Sequence, residues 1–186
     1  MQLGSVLTKQ KRLVEAETTF RIALVLRPDH AKAHNNLGVA LVQLGRMDEA
    51  IASYREAIRL KPDYAEAHFN LGCGLSERKQ NAEAIAAYER TIELRPDHAD
   101  ALHNLGLLLV HERRPGEAAA YTHQAVRLKP ENVESRINLS LAYTDLGRFD
   151  DAVAACDEAL RLQPLIGLTS ASLPSFPMCA FARSTT

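Results

Sequence analysis

The sequence predicts an all-α fold, a solenoid of helix hairpins. Three observations carry that prediction. Prolines recur at a fixed step of 34 residues, as Pro28, Pro62, Pro96, Pro130 and Pro164. A Leu-Gly pair keeps the same step at Leu3-Gly4, Leu37-Gly38, Leu71-Gly72 and Leu105-Gly106, and the fifth copy reads Leu139-Ser140. Between these marks the apolar residues follow helical spacing: Leu37, Leu41 and Leu44 in one run, then Ala50, Ile51, Tyr54, Ala57 and Ile58 in the next. A repeat of this length is one supersecondary unit, which buries its apolar face only against its neighbours.

The step divides the chain. Residues 1–28 are the end of a unit whose first helix lacks its opening turn. Residues 29–62, 63–96, 97–130 and 131–164 are four whole units, and 165–186 are unrelated to them. In the second copy the first helix is expected from Ala31 to Leu44. Gly45-Arg46 breaks it, and a second helix runs from Asp48 to Leu60 before Lys61-Pro62 ends it. Asp63 is the expected N-cap of the following helix, with Glu66 completing a capping box, and Asp97 with Asp100 repeats the arrangement. Pro115 falls at the start of a second helix, where its missing N–H costs little.

The small residues mark helix crossings. Gly38, Gly72 and Gly106 stand inside helices, where Gly costs about 1 kcal/mol relative to Ala. That cost is expected where a second backbone comes close. An acid-Ala pair recurs at Glu15-Ala16, Glu49-Ala50, Glu83-Ala84, Glu117-Ala118 and Asp151-Ala152. Four residues after each Ala come Phe20, Tyr54, Tyr88, Thr122 and Cys156, which fill the space one turn on. A core of this kind needs few aromatics, in keeping with 5% aromatic residues and no Trp.

Beyond Pro164 the pattern stops. Residues 165–186 hold one charge, Arg183, and no acid. Pro174 stands where a further repeat would need helix interior. The composition predicts a disordered tail in place of the polar capping helix that usually closes a solenoid. The favoured reading is a truncated or mis-terminated reading frame. The other is an apolar segment, with Leu165, Ile166, Leu168 and Phe176, that folds back over the end or docks on a partner.

Composition excludes several classes. Lys+Arg is 22 and Asp+Glu 23, a net charge of −1. That balance argues against nucleic acid as partner and against a polybasic membrane surface. No apolar run is long enough to span a bilayer. The start, Met1-Gln2-Leu3-Gly4-Ser5, does not read as a signal peptide, so a cytoplasmic location is expected. Cys73, Cys156 and Cys179 are odd in number and widely spaced, which fits neither a disulfide framework nor a zinc site. His103 and His111 are too far apart for a paired metal site on one helix, and His34 and His68 are expected to pack between helices. No nucleophile-base motif or phosphate loop is present, so the expectation is a non-enzyme with no cofactor and no metal.

The Leu-Gly, Ala, aromatic and Pro pattern at this period resembles the tetratricopeptide repeat family. The resemblance implies a right-handed superhelix of antiparallel helix pairs. It also implies that the first helices line a concave groove for a protein or peptide ligand. The family's usual bulky residue three before Leu-Gly is replaced by His34, His68 and Leu102, and Thr122 stands at an aromatic position.

On that groove face the residue before Leu-Gly or Leu-Ser is asparagine in all four whole units: Asn36, Asn70, Asn104 and Asn138. Asn is a mediocre helix former, so propensity does not account for the choice. Each amide offers one acceptor and two donors, enough to hold an extended peptide by its backbone. Bonding within the scaffold is the competing reading, and both stand open at this stage. The runs Ala33-His34-Asn35-Asn36-Leu37-Gly38 and Ala67-His68-Phe69-Asn70-Leu71-Gly72 resemble the repeat arm of O-linked N-acetylglucosamine transferases. That likeness implies a peptide groove but not the enzyme; the substrate-recruiting arm of a larger enzyme such as a glycosyltransferase is the alternative to a free-standing adaptor.

Neighbouring positions set specificity. Lys32, Glu66, Asp100 and Glu134 lie four residues before each Asn; Gln43, Glu77, His111 and Asp145 lie seven after. The later positions are acidic and favour a ligand with Lys or Arg. Asn35, Phe69, His103 and Ile137 directly precede the Asn residues, and Phe69 and Ile137 are candidates to hold apolar ligand side chains. Val39, Cys73, Leu107 and Leu141 are apolar where a carboxylate clamp needs polar groups. Uncapped ends are a further route, to self-association.

Overall fold

The computed structural model describes residues 2–163. All the secondary structure among them is helical. Helices α1 (Gln2–Lys9), α2 (Leu13–Leu26), α3 (Ala31–Gln43), α4 (Met47–Leu60), α5 (Ala65–Glu77) and α6 (Asn81–Leu94) form one compact unit. Helices α7 (Ala99–His111), α8 (Pro115–Leu128), α9 (Val133–Asp145) and α10 (Phe149–Leu162) belong to a second. The cut falls between Leu94 and Arg95. The tail expected to be disordered, 165–186, lies outside the described residues.

In the first unit α1 packs on α2, α3 on α4 and α5 on α6, while α2 also meets α3 and α4 meets α5. In the second unit α7 packs on α8, α8 on α9 and α9 on α10. Each whole copy therefore holds one hairpin, and α1 is the short remainder of a first helix. Helix ends fall within one residue of those expected for Ala31–Leu44 and Asp48–Leu60.

The crossings are tight for the expected reason. A Cβ added at Gly38 would lie 2.4 Å from Tyr54 Cε1, and one at Gly106 would lie 2.1 Å from Thr122 Oγ1. Ala16, Ala50, Ala84 and Ala118 have no exposed surface, and Phe20, Tyr54, Tyr88 and Thr122 are equally buried one turn on.

Inside each hairpin the chain turns through one left-handed residue. Gly45 (φ 76°) and Gly147 (φ 71°) fill that place in two copies; Lys11 (φ 58°), Lys79 (φ 60°) and Arg113 (φ 58°) fill it in the others. The turn closes as a Schellman motif: Arg46 N–H donates to Leu41 O and Gly45 N–H to Val42 O, both at 2.9 Å. Gln80 to Leu75 and Arg114 to Leu109 repeat the first bond at 2.9 Å.

The expected N-caps differ by one residue. Asp63 does not cap α5; Tyr64 does, with no side-chain bond, and its carbonyl accepts from Ala67 N (3.0 Å) and His68 N (3.2 Å). Pro62-Asp63 form the turn itself, which leaves the Asp63 carboxylate one position too early. Likewise His98, not Asp97, precedes α7, and its Nδ1 accepts from Ala101 N at 3.2 Å. Asn132 caps α9 by accepting from Ser135 N at 2.8 Å. Pro115 opens α8 as expected.

Candidate functional site

The first helices of the first unit bring their asparagines into one chain of side chains. Asn70 Nδ2 on α5 donates to Asn35 Oδ1 on α3 at 2.9 Å. Asn35 Nδ2 donates to Asn36 Oδ1 at 3.5 Å, and Asn36 Nδ2 donates to Ser5 Oγ on α1 at 3.2 Å. Between helices each amide donates to the preceding first helix, Asn70 to α3 and Asn36 to α1, and Asn35 passes the chain on to Asn36 within α3. Asn70 keeps 8% of its surface and Asn35 only 2%, while Asn36 is half-buried. One N–H of Asn70 and one of Asn36 are thus committed to the scaffold.

Around these amides Lys32, Gln43, Glu66 and Glu77 are exposed. Phe69 corrects the sequence reading. It is buried against Tyr88, with ring centroids 6.1 Å apart and planes at 50°, so it belongs to the core and is not open to a ligand. Its ring fills the interior beside Tyr88. Asn35 likewise points inward, where it pairs with its neighbouring amides.

In the second unit His103 on α7 shares a hydrogen bond with Ser135 Oγ on α9, at 2.8 Å from Nδ1. Burial lowers the His103 pKa, Lys129 adds to that, and the carboxylates of Glu134 and Asp100 oppose it. Asp100 is itself held by Lys129 Nζ at 2.7 Å. Asn104 is half-buried and Asn138 buried. Ile137, Glu134 and His111 are exposed, and Asp145 stands 3.8 Å from Arg113. The acidic character expected of the later positions is thus partly neutralised by Lys129 and Arg113.

His34 and His68 are half-buried, and His34 stands beside Leu24 of α2 and Glu56 of α4. Each directs Nε2 at the carbonyl of the proline six residues earlier, Pro28 and Pro62, at 2.9 Å. Arg136 takes the same carbonyl role, donating to Pro130 O at 2.8 Å from Nη2. These side chains tie a first helix to the turn that enters it.

One recurrent feature escaped the sequence reading. Arg12, Arg46, Arg114 and Arg148 precede second helices and grip an acid three residues on, with Arg46 Nε 2.6 Å from Glu49 Oε1 and Arg114 Nε 2.7 Å from Glu117 Oε1. This explains the acid of the acid-Ala pair in four of the five copies; in the third, Gln80 stands in place of the arginine and Glu83 pairs with Arg55 at 2.8 Å. The guanidinium hydrogen bond holds the Glu15, Glu49 and Glu117 carboxyls below the usual range. Arg46 also donates from Nη1 to Glu17 at 2.8 Å, linking α4 to α2. The 34-residue recurrence of arginine was the available signal.

Among the described residues no group of three or more His, Cys, Asp or Glu is placed to hold a metal, and Cys73 is buried. No helix among them is long and apolar enough to cross a membrane.

Comparison with known proteins agrees with this architecture. Residues 39–73 match the family model described as TPR repeat, and residues 77–159 match that of anaphase-promoting complex, cyclosome, subunit 3. No curated protein matches the chain. Among solved structures, MamA is 25% identical with a TM-score of 0.80, covering 87% of this chain and 95% of that one. YrrB, described as a TPR protein with an unusual peptide-binding site, is 22% identical with a TM-score of 0.79, covering 89% and 86%. A tetratricopeptide repeat protein from Parabacteroides merdae is 19% identical with a TM-score of 0.77, covering 89% and 66%. These likenesses bear out the all-α solenoid class, and no catalytic family is shown. The 34-residue hairpins, the repeat match over residues 39–73 and the solved structures make the chain similar to tetratricopeptide repeat proteins.

Proposed function

We propose that the chain is a cytoplasmic adaptor that holds an extended peptide or a partner helix on the first-helix side of its units. The observation that supports this most is the asparagine recurrence combined with its geometry. Asn36 and Asn70 each spend one N–H on the scaffold, and that bond sets the amide plane. The carbonyl and second N–H of an oriented amide suit a peptide backbone, which carries both partners at each residue. Asn104 and Asn138 stand at the same step in the second unit. Exposed Lys32, Gln43, Glu66, Glu77 and His111 would flank the ligand, with Glu134 favouring basic side chains.

The experiment is binding of the full chain to an array of basic, acidic and neutral peptides, repeated with Asn36→Ala plus Asn104→Ala. These two asparagines are the half-buried ones, so the helical circular-dichroism signal is expected to hold while peptide binding weakens. Affinity that does not change sinks the asparagine reading.

A second reading is the recruiting arm of a larger glycosyltransferase. It rests on the Ala33–Gly38 and Ala67–Gly72 runs and requires a catalytic domain beyond these 186 residues. Coding sequence for such a domain beside this one would favour it.

A further inference from the structure

The charged residues on the helices of the first unit fall into two populations. On the second helices α2, α4 and α6 every acid and base but Glu89 is in an ion pair. Glu17–Arg21, Asp48–Arg78 and Arg55–Glu83, each at 2.8 Å, are examples. On the first helices the charges are Lys9 of α1, Lys32 of α3, and Glu66 and Glu77 of α5. All of these are exposed, and none is in an ion pair among the described residues. Charge is spent on the scaffold along one row of helices and left open along the other.

The open charges sit at regular places. Lys32 and Glu66 stand four residues before Asn36 and Asn70; Gln43 and Glu77 stand seven after, and Lys9 is their equivalent on α1. Steps of four and seven return to the same side of a helix, so α3 and α5 each carry the asparagine between two rim positions. The bonds from Asn36 to Ser5 and from Asn70 to Asn35 set these helices side by side in the order α1, α3, α5. One rim therefore reads Lys32 then Glu66, and the other reads Lys9, Gln43, Glu77. Both rims run from positive to negative in the same direction. Packed helices lie about 8–10 Å apart, close to the screening length of about 8 Å at physiological salt, so each end presents its own sign.

We infer that the first-helix side of this unit selects an extended peptide whose charges are segregated, with acidic residues at the end over α1 and α3 and basic residues at the end over α5. The inference rests on the peptide reading above and adds an order of charge to it. An extended chain advances about 3.3 Å per residue, so one helix step takes about three residues and the span from α1 to α5 about six. The asparagine amides address the backbone and leave the sequence between the ends free. The four charges read the ends. A lysine or arginine over Asn70 lies between Glu66 and Glu77, whose carboxylates have no cation of their own. An acid placed there meets the same two carboxylates and is repelled, as a base is repelled by Lys9 and Lys32. A ligand of a single sign is therefore opposed at one end, and a segregated one is opposed at neither.

Fluorescence anisotropy of the full chain with labelled, capped peptides of about seven residues tests this. Segregated peptides carry glutamates at one end and lysines at the other, made in both chain directions. A mixed peptide of the same composition carries one glutamate and one lysine at each end, and all-glutamate and all-lysine peptides complete the set. The better segregated peptide should bind about tenfold tighter than the mixed one, the size expected of two or three exposed charge contacts. Glu66→Lys with Glu77→Lys makes both rims basic throughout and should move the preference to the all-glutamate peptide. Lys9→Gln with Lys32→Gln, a milder change, should move it toward the all-lysine peptide if the first variant loses helical signal. Equal binding of segregated and mixed peptides, tightest wild-type binding of a single-sign peptide, or a preference that both variants keep would each overturn the order of charge and leave the peptide reading standing. Binding of none of these peptides would remove both.

Discussion

Asn70 Nδ2 donates to Asn35 Oδ1 across the α3–α5 contact at 2.9 Å, and both side chains are buried. Two residues 35 apart in sequence thus make a neutral side-chain bond between successive first helices. The asparagine recurrence has a structural role here, whatever ligand the remaining amide groups take.

Truncating that pair is expected to cost stability. Asn70→Ala leaves the Asn35 carbonyl buried with its donor gone, a loss of about 1–2 kcal/mol. Asn36→Ala, at a half-buried site, should cost less than about 0.5 kcal/mol. Urea unfolding of both variants measures the difference, and equal values would remove the distinction drawn between the two amides.

Thr122 is fully buried opposite Gly106, and among the described residues its hydroxyl has no hydrogen-bond partner. Thr122→Val keeps the shape and removes the unmet polar group, so it should stabilise the chain by about 1 kcal/mol. Thr122→Tyr, which restores the ring of the other copies, should destabilise it, because α7 and α8 have already closed on the smaller side chain. Thermal melts of the two variants should move in opposite directions.

The hairpin turns give a third expectation. Lys79→Gly and Arg113→Gly relieve a left-handed residue that costs about 1–2 kcal/mol, against about 0.5–1 kcal/mol of added backbone entropy. Each should gain about 0.5–1 kcal/mol by that balance. Gly45→Ala should lose about 1 kcal/mol at the same turn position. Denaturant midpoints check the sign in each case.

His103 makes stability depend on pH. Its folded pKa is lowered, chiefly by burial, so the folded state takes up its proton later than the unfolded state. Stability is complete above the unfolded value of about 6.5 and is lost as pH falls from there through the lowered folded value. Glu134 and Asp100 limit the effect and Lys129 adds to it. His103→Gln should flatten the stability profile between pH 7 and pH 5; a profile that keeps its slope would assign the dependence elsewhere.

Much of the fold was legible because the repeat imposes the same physics several times. Gly38 with Tyr54 and Gly72 with Tyr88 announce a close crossing through residue size alone. The turn residues were less legible, since Lys79 and Arg113 carry no sign of a positive φ that Gly45 displays. The N-caps were misplaced by one residue because Pro62-Asp63 reads like a cap and serves as the preceding turn. At the site, the asparagine step was plain in sequence, but the inward course of Asn35 and Phe69 was not. Orientation around a helix at a single residue depends on the neighbouring helix, and a linear pattern does not hold that information.

In the first unit the two rows of helices are joined by different forces. First helices meet through neutral amides, Asn70 to Asn35 and Asn36 to Ser5, whereas second helices are strapped by Arg46–Glu17, Arg21–Glu49 and Arg55–Glu83. Added salt shortens the screening length from about 30 Å at 0.01 M to about 3 Å at 1 M, which weakens the charged row and leaves the amide row untouched. The unit thus sets a salt-sensitive row of second helices beside a salt-insensitive row of first helices.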